Sequence, residues 1–164
     1  MQSPAVFTAH IVLAAFGLMV YHSAHAARIE PAGSAFTAQG PISFSKGALI
    51  SADCTLKLAG KVAADGASVN VEHVEFDGGL KCSRVEAINL PWVLVAKDKH
   101  SGAMSNISVE VHAFGLGGQC GPSTAEGTWD NTRAMLQATN VPIGKDCMIK
   151  SVSIKMPANF KVLD

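Results

Sequence analysis

The chain has 164 residues, with thirteen Lys and Arg against thirteen Asp and Glu; its formal net charge is zero and only 16% of its residues are charged. A protein that neutralises a phosphate backbone needs a basic excess, so nucleic acid is excluded as a partner. A hydrophobic content of 48% excludes a disordered chain.

All of the charged side chains lie beyond Ala27. Before them, residues 11–20 (IVLAAFGLMV) form an unbroken apolar run, followed by Ala24-His25-Ala26, an A-x-A pattern. Residues 1–26 therefore read as a cleaved secretory signal peptide, and residues 27–164 as a single secreted domain. The segment before the apolar run carries no Lys or Arg, only the terminal amine and His10. The alternative is an uncleaved anchor over residues 5–21. Thr8, His10 and Gly17 interrupt it, and it sits at the short limit for a span. No later stretch is apolar enough to cross a membrane, so none is expected in the mature chain.

Period-two alternation then dominates. Ile42 and Phe44 suggest a first strand. Across residues 50–62 the even positions Ile50, Ala52, Cys54, Leu56, Leu58 and Val62 face inward, with polar residues between them. Ala64-Asp65-Gly66 is a turn. Residues 69–76 alternate with a phase change near His73, the mark of a bulge, and Asp77-Gly78-Gly79 turns again. Over residues 85–96, Ile88, Leu90, Trp92, Leu94 and Ala96 share one face, which makes Leu90, Trp92 and Leu94 expected core residues. Ile107, Val109 and Val111 mark the next strand. Residues 131–138 (NTRAMLQA) lack alternation and read as a short helix with Asp130 or Asn131 as its N-cap. Met148 to Met156 alternates once more, and residues 160–163 suit a short edge strand. Seven or eight such strands with Gly-rich turns predict an all-β fold: an antiparallel sandwich, Ig-like or jelly-roll-like, with a small barrel as the alternative closure.

Four cysteines, Cys54, Cys82, Cys120 and Cys147, fall in the mature part. An even count behind a signal peptide implies two structural disulfides in an oxidising compartment. Three connectivities are open. A weak internal repeat favours Cys54–Cys82 and Cys120–Cys147, because Cys82 precedes Pro91 by nine residues and Cys147 precedes Pro157 by ten. Metal binding by the cysteines is disfavoured, since no C-x-x-C pair occurs.

The chemistry-bearing residues form no recognisable motif. In Gly115-Leu116-Gly117-Gly118-Gln119-Cys120-Gly121 the third glycine of a nucleotide loop falls on Cys120 and no Lys-Ser/Thr pair follows, so a loop holding a disulfide is the better reading. No G-x-S-x-G elbow occurs. His112 and Glu110, two apart on the polar face of a strand, would hold a metal only with His73 or His100; a solvated pair is the simpler reading. Glu72, Glu75 and Asp77 read as surface charge. No catalytic residue, cofactor or metal site is assigned. The only tyrosine, Tyr21, lies in the leader, so no aromatic binding platform stands out.

Ile29-Glu30-Pro31-Ala32-Gly33-Ser34-Ala35-Phe36, then Cys54, Gly79 with Cys82, Leu90-Pro91-Trp92, Cys120-Gly121 with Trp129, and Pro142 with Cys147 follow one another along the chain. In these framework motifs the sequence resembles the small secreted bacterial alkane oxidation protein activators of the PraA and PraB type. The resemblance implies an extracellular, non-enzymatic protein that aids growth on long-chain alkanes by surface or emulsifying action, with alkane droplets or other hydrophobic surfaces as its partners. It carries no catalytic residues over. A net charge of zero suits this role, because low charge weakens the repulsion that opposes crowding at an interface. The alternative is a fimbrial, adhesin or biofilm-matrix subunit whose loose mature N-terminus, residues 27–40, donates an edge strand. A secreted hydrolase or small-ligand binder would need a convergent pocket that no motif marks.

Overall fold

The computed structural model describes residues 27–164. The expected leader, residues 1–26, lies outside the described residues. The inward and outward alternation builds eleven strands: β1 (Arg28–Glu30), β2 (Ala35–Lys46), β3 (Ile50–Val62), β4 (Val69–Asp77), β5 (Val85–Ile88), β6 (Trp92–Asp98), β7 (Ser101–Val111), β8 (Gly118–Asp130), β9 (Met135–Pro142), β10 (Cys147–Lys155) and β11 (Lys161–Leu163). A single 3-10 turn, Cys82–Arg84, is the only helical element among the described residues.

The main sheet runs β5-β7-β6-β4-β3-β2-β10-β9-β8, and β7 also pairs with β8. That last pairing, from Ser101↔Thr128 to Val111↔Gly118, closes eight strands into an antiparallel barrel. The expected sandwich is thus corrected to a barrel. The reason lies in local backbone geometry that alternation does not show. Gly40 in β2 and Gly60 in β3 take inward positions where a neighbouring strand's carbonyl comes close. A Cβ on Gly40 would sit 1.8 Å from the Ser153 carbonyl oxygen, and one on Gly60 2.0 Å from that of Asn70. Only glycine admits such an approach. Register shifts in β4, β7 and β10 add further twist. Long strands that coil this strongly meet edge to edge rather than stacking as two flat sheets.

The inward faces form one continuous core, from Ile42, Phe44, Leu56 and Leu58 to Val109, Ile149 and Ile154. The outward face of β3 carries Ser51, Asp53, Thr55, Lys57 and Lys61. This is the reverse of a transmembrane barrel, whose outer band is apolar.

One end, the base, is plugged. β1 and β11 pair as a small separate sheet, and Phe160 packs edge-on against Phe36 at 5.9 Å and against Trp129 at 5.8 Å between ring centres. Asn131 fastens this plug: its amide donates to the Val162 carbonyl at 2.8 Å, and its carbonyl accepts from the Val162 N–H at 2.9 Å. Residues 27–40 are therefore not loose. Arg28–Glu30 pair with β11, and residues 35–40 pair with β3 as part of β2.

The helix expected over residues 131–138 is also corrected. Residues 131–134 form a turn, with Asp130 Oδ1 accepting from the N–H groups of Thr132 and Arg133. This is how an N-cap starts a helix. Ala134, at φ 48°, stops it after one turn, and Met135–Pro142 goes on as β9, paired with β10. Ladder bonds from β10 outweigh a marginal local helix preference.

Candidate functional site

At the end opposite the base, the rim, lie both disulfides, with Cys54, Cys120 and Cys147 on strands and Cys82 in the 3-10 turn. Cys54 joins Cys82 and Cys120 joins Cys147. Each spans a place where the barrel ladder is short. β4 pairs with β6 over three residues only, Val69 to Val71, and no ladder joins the rim half of β4 to β5. β8 pairs with β9 only from Thr128 to Asp130. The wall thus has two seams in its rim half, and Cys54–Cys82 and Cys120–Cys147 bridge them.

The strand expected over residues 85–96 is broken in two at the first seam. Asn89 has φ 57° and the Leu90–Pro91 bond is cis. Asn106 holds the break against β7 by donating to the carbonyls of Asn89 and Pro91. The break turns Leu90 out to solvent, 36% exposed, which corrects its assignment to the core. Trp92 is buried, its indole N–H donating to the Ile88 carbonyl at 3.2 Å. Leu94 is half-buried on the same inward face.

Between the seams the interior is incompletely filled. A cavity of about 70 Å³ lies beneath Phe76, Trp92, Leu94, Met104, Leu136 and Ala138, among others. Phe76, Leu94, Met104, Leu136 and Ala138 point inward yet are only partly covered. Glu126 is the only charged residue on the cavity wall, and its carboxylate turns outward to pair with Lys97. The rest of the wall is apolar side chains and glycine.

Outside, the ionisable groups form small solvated pairs. Lys57 bonds Asp77 at 2.9 Å, and that hydrogen bond raises the pKa of the ammonium and lowers that of the carboxyl. His112 meets Glu86 on β5 at 3.1 Å rather than Glu110 on its own strand. The structure does not bring His73, His100 and His112 together, and no cluster of three or more metal-ligating side chains occurs among the described residues.

The rim carries what periodicity did not flag. Leu49 is 78% exposed, Leu80 82%, and Phe114 fully exposed, with Leu116 beside it. Leu49 and Leu116 border one shallow groove with Lys46, and Leu49 and Leu80 border the next with Lys81 and Arg84. The signal was present in the sequence. Each of these residues is a large apolar side chain next to turn glycines, in Gly47-Ala48-Leu49, Gly78-Gly79-Leu80 and Phe114-Gly115-Leu116-Gly117. Turn residues are normally polar, and three apolar turns at one end of a barrel make a patch.

A family model described as alkane oxidation protein activator PraA/PraB-like matches residues 1–164. No curated protein matches the chain, and no solved structure does.

Proposed function

Because the chain belongs to the alkane oxidation protein activator family of PraA/PraB-like proteins, we propose that it is a secreted, non-enzymatic accessory protein that supports growth on long-chain alkanes by acting at the alkane–water surface. The observation that carries this reading is the rim. Leu49, Leu80, Phe114 and Leu116 stand out from turns at one end of the barrel. Transferring four such side chains from water into hydrocarbon is worth on the order of 5 kcal/mol. Lys81 and Arg84 flank the apolar tips, exposed, and keep their charges in water while their stems extend the apolar footprint. Two disulfides are compatible with an extracellular or periplasmic protein.

The test is hexadecane–water interfacial tension with the disulfide-bonded protein and with a variant carrying Leu49→Ser, Leu80→Ser, Phe114→Ser and Leu116→Ser. The parent lowers the tension, and the variant, unchanged in fold because these side chains are exposed, loses most of that effect. A parent no better than an inert secreted protein of the same size, or a variant as active as the parent, sinks the reading.

A further inference from the structure

We infer that the barrel interior is a binding site for the end of an unbranched alkyl chain. The site is separate from the rim, and the inference does not depend on adsorption there. An eight-stranded barrel is just wide enough either to be filled by its own side chains or to hold one small ligand. This one does neither completely. Phe76, Leu94, Met104, Leu136 and Ala138 face the interior and stay partly uncovered around a cavity of about 70 Å³.

The wall selects by chemistry. Its one charged residue, Glu126, sends its carboxylate outside to Lys97, so a polar head inside would lose its water and find no side-chain partner. A hydrocarbon loses nothing by entering and gains contacts that the void withholds from the wall. Shape selects as well. The volume is about half that of a dry cavity of about 150 Å³ that takes up benzene, so it fits a narrow chain end rather than a ring. Leu94 and Met104, flexible and half-covered, are the side chains able to yield to further carbons.

Access lies at the seams. Phe76 and Val85 line the cavity beside the gap between β4 and β5, and Ala125 and Ala138 line it beside the gap between β8 and β9. No backbone ladder has to break in these gaps for a thin chain to pass. The base is closed by Phe160 and the β1–β11 sheet.

Methyl NMR on protein labelled at Met and Leu reads the interior and the rim separately. With n-hexane below its solubility limit, the Met104, Leu94 and Leu136 methyls shift saturably and show contacts to the hexane protons. Ala138→Phe, which fills the cavity, weakens that binding at least about tenfold. Hexanoate at neutral pH, with the same chain and a carboxylate, binds more weakly than hexane. Shifts confined to Leu49, Leu80 and Leu116, equal binding by the filled variant, or hexanoate binding as tightly as hexane would each overturn the inference. If Ala138→Phe does not fold, the hexane contacts to Met104 in the parent decide the matter. The rim variant, which removes adsorption at the hexadecane surface, leaves the Met104 shift intact, so failure of one reading is distinguishable from failure of the other.

Discussion

Asp130 illustrates how much one side chain organises at the base. One carboxylate oxygen accepts from the N–H groups of Thr132 and Arg133, and the other takes the Arg133 guanidinium at 2.7 Å. The Arg133 bond is the largest influence holding the Asp130 pKa below its ordinary value. A carboxyl whose pKa is lower folded than unfolded stabilises the fold above its unfolded pKa, and that stability is lost as pH falls through the folded value. Asp130→Asn keeps an acceptor for the two N–H groups but loses the ionic partner. Its thermal midpoint is expected slightly below that of the parent at neutral pH, with the difference shrinking below the ordinary carboxylate range and vanishing as pH falls through the lowered folded-state pKa. Thermal melts across that range check it, and a pH-independent difference would contradict it. Leu90 and Trp92 make a second point at this scale. They sit two apart and read as one face, yet the break at Asn89 to Pro91 sends one to solvent and keeps the other in the core. Alternation carries information only while the strand is unbroken.

Among the elements, the unequal ladders matter most. β2 and β3 pair along their whole length, from Ala35↔Lys61 to Lys46↔Ile50, whereas β4–β6 and β8–β9 hold three pairs each. Each disulfide crosses one of these weak joints. Removing Cys54–Cys82 as the double variant Cys54→Ala with Cys82→Ala releases a loop of 28 residues, and the chain-entropy estimate of the loss is roughly 3–4 kcal/mol. Urea denaturation is expected to show an unfolding free energy lower by that amount, together with stronger apolar-dye binding as the β4–β5 seam loosens. The spacing of the cysteines along the chain pointed to local pairing. Their position over the two gaps did not follow from spacing, because a gap in a ladder is a relation between strands far apart in sequence. The same holds for residues 131–138. Their composition suits a helix, but pairing of Met135–Pro142 with β10 decides the outcome.

For the whole molecule, the plugged base and seamed rim predict a gradient of stability. Amides of β2 and β3, bonded on both sides and sealed at the base, are expected to exchange last, at the rate of global unfolding. Those of β4 beyond Val74 and of β8 from Cys120 to Ala125 open by smaller local fluctuations and exchange earlier. Hydrogen exchange read by mass spectrometry or NMR checks the order, and uniform protection around the barrel would contradict the seams. The same gradient separates the roles of the two ends. The base is fastened by Asn131 and the Phe36, Trp129 and Phe160 cluster, and the rim holds the exposed apolar turns and the routes to the cavity.

By itself the sequence determined the all-β class, the inward residues of β2, β3 and β7, the presence of two cross-links and the family, because each rests on residues close together in the chain or on their bare number. In β10 the alternation from Met148 misleads: the register shift between Ile149 and Ser151 buries Ile149 and leaves Met148 39% exposed. The framework motifs and the period of two survive without any knowledge of strand order. Tertiary structure alone decided that the sheet closes into a barrel, that β2 is paired into it and β1 with β11, and that Leu49, Leu80, Phe114 and Leu116 gather at one end. It also decided that a cavity remains inside. Closure depends on how far each strand coils, and coiling is set by glycines and register shifts meeting carbonyls of strands that are, for Gly40 and Ser153, more than a hundred residues apart. A void is likewise a property of what eight strands jointly fail to fill, and no single strand carries its trace.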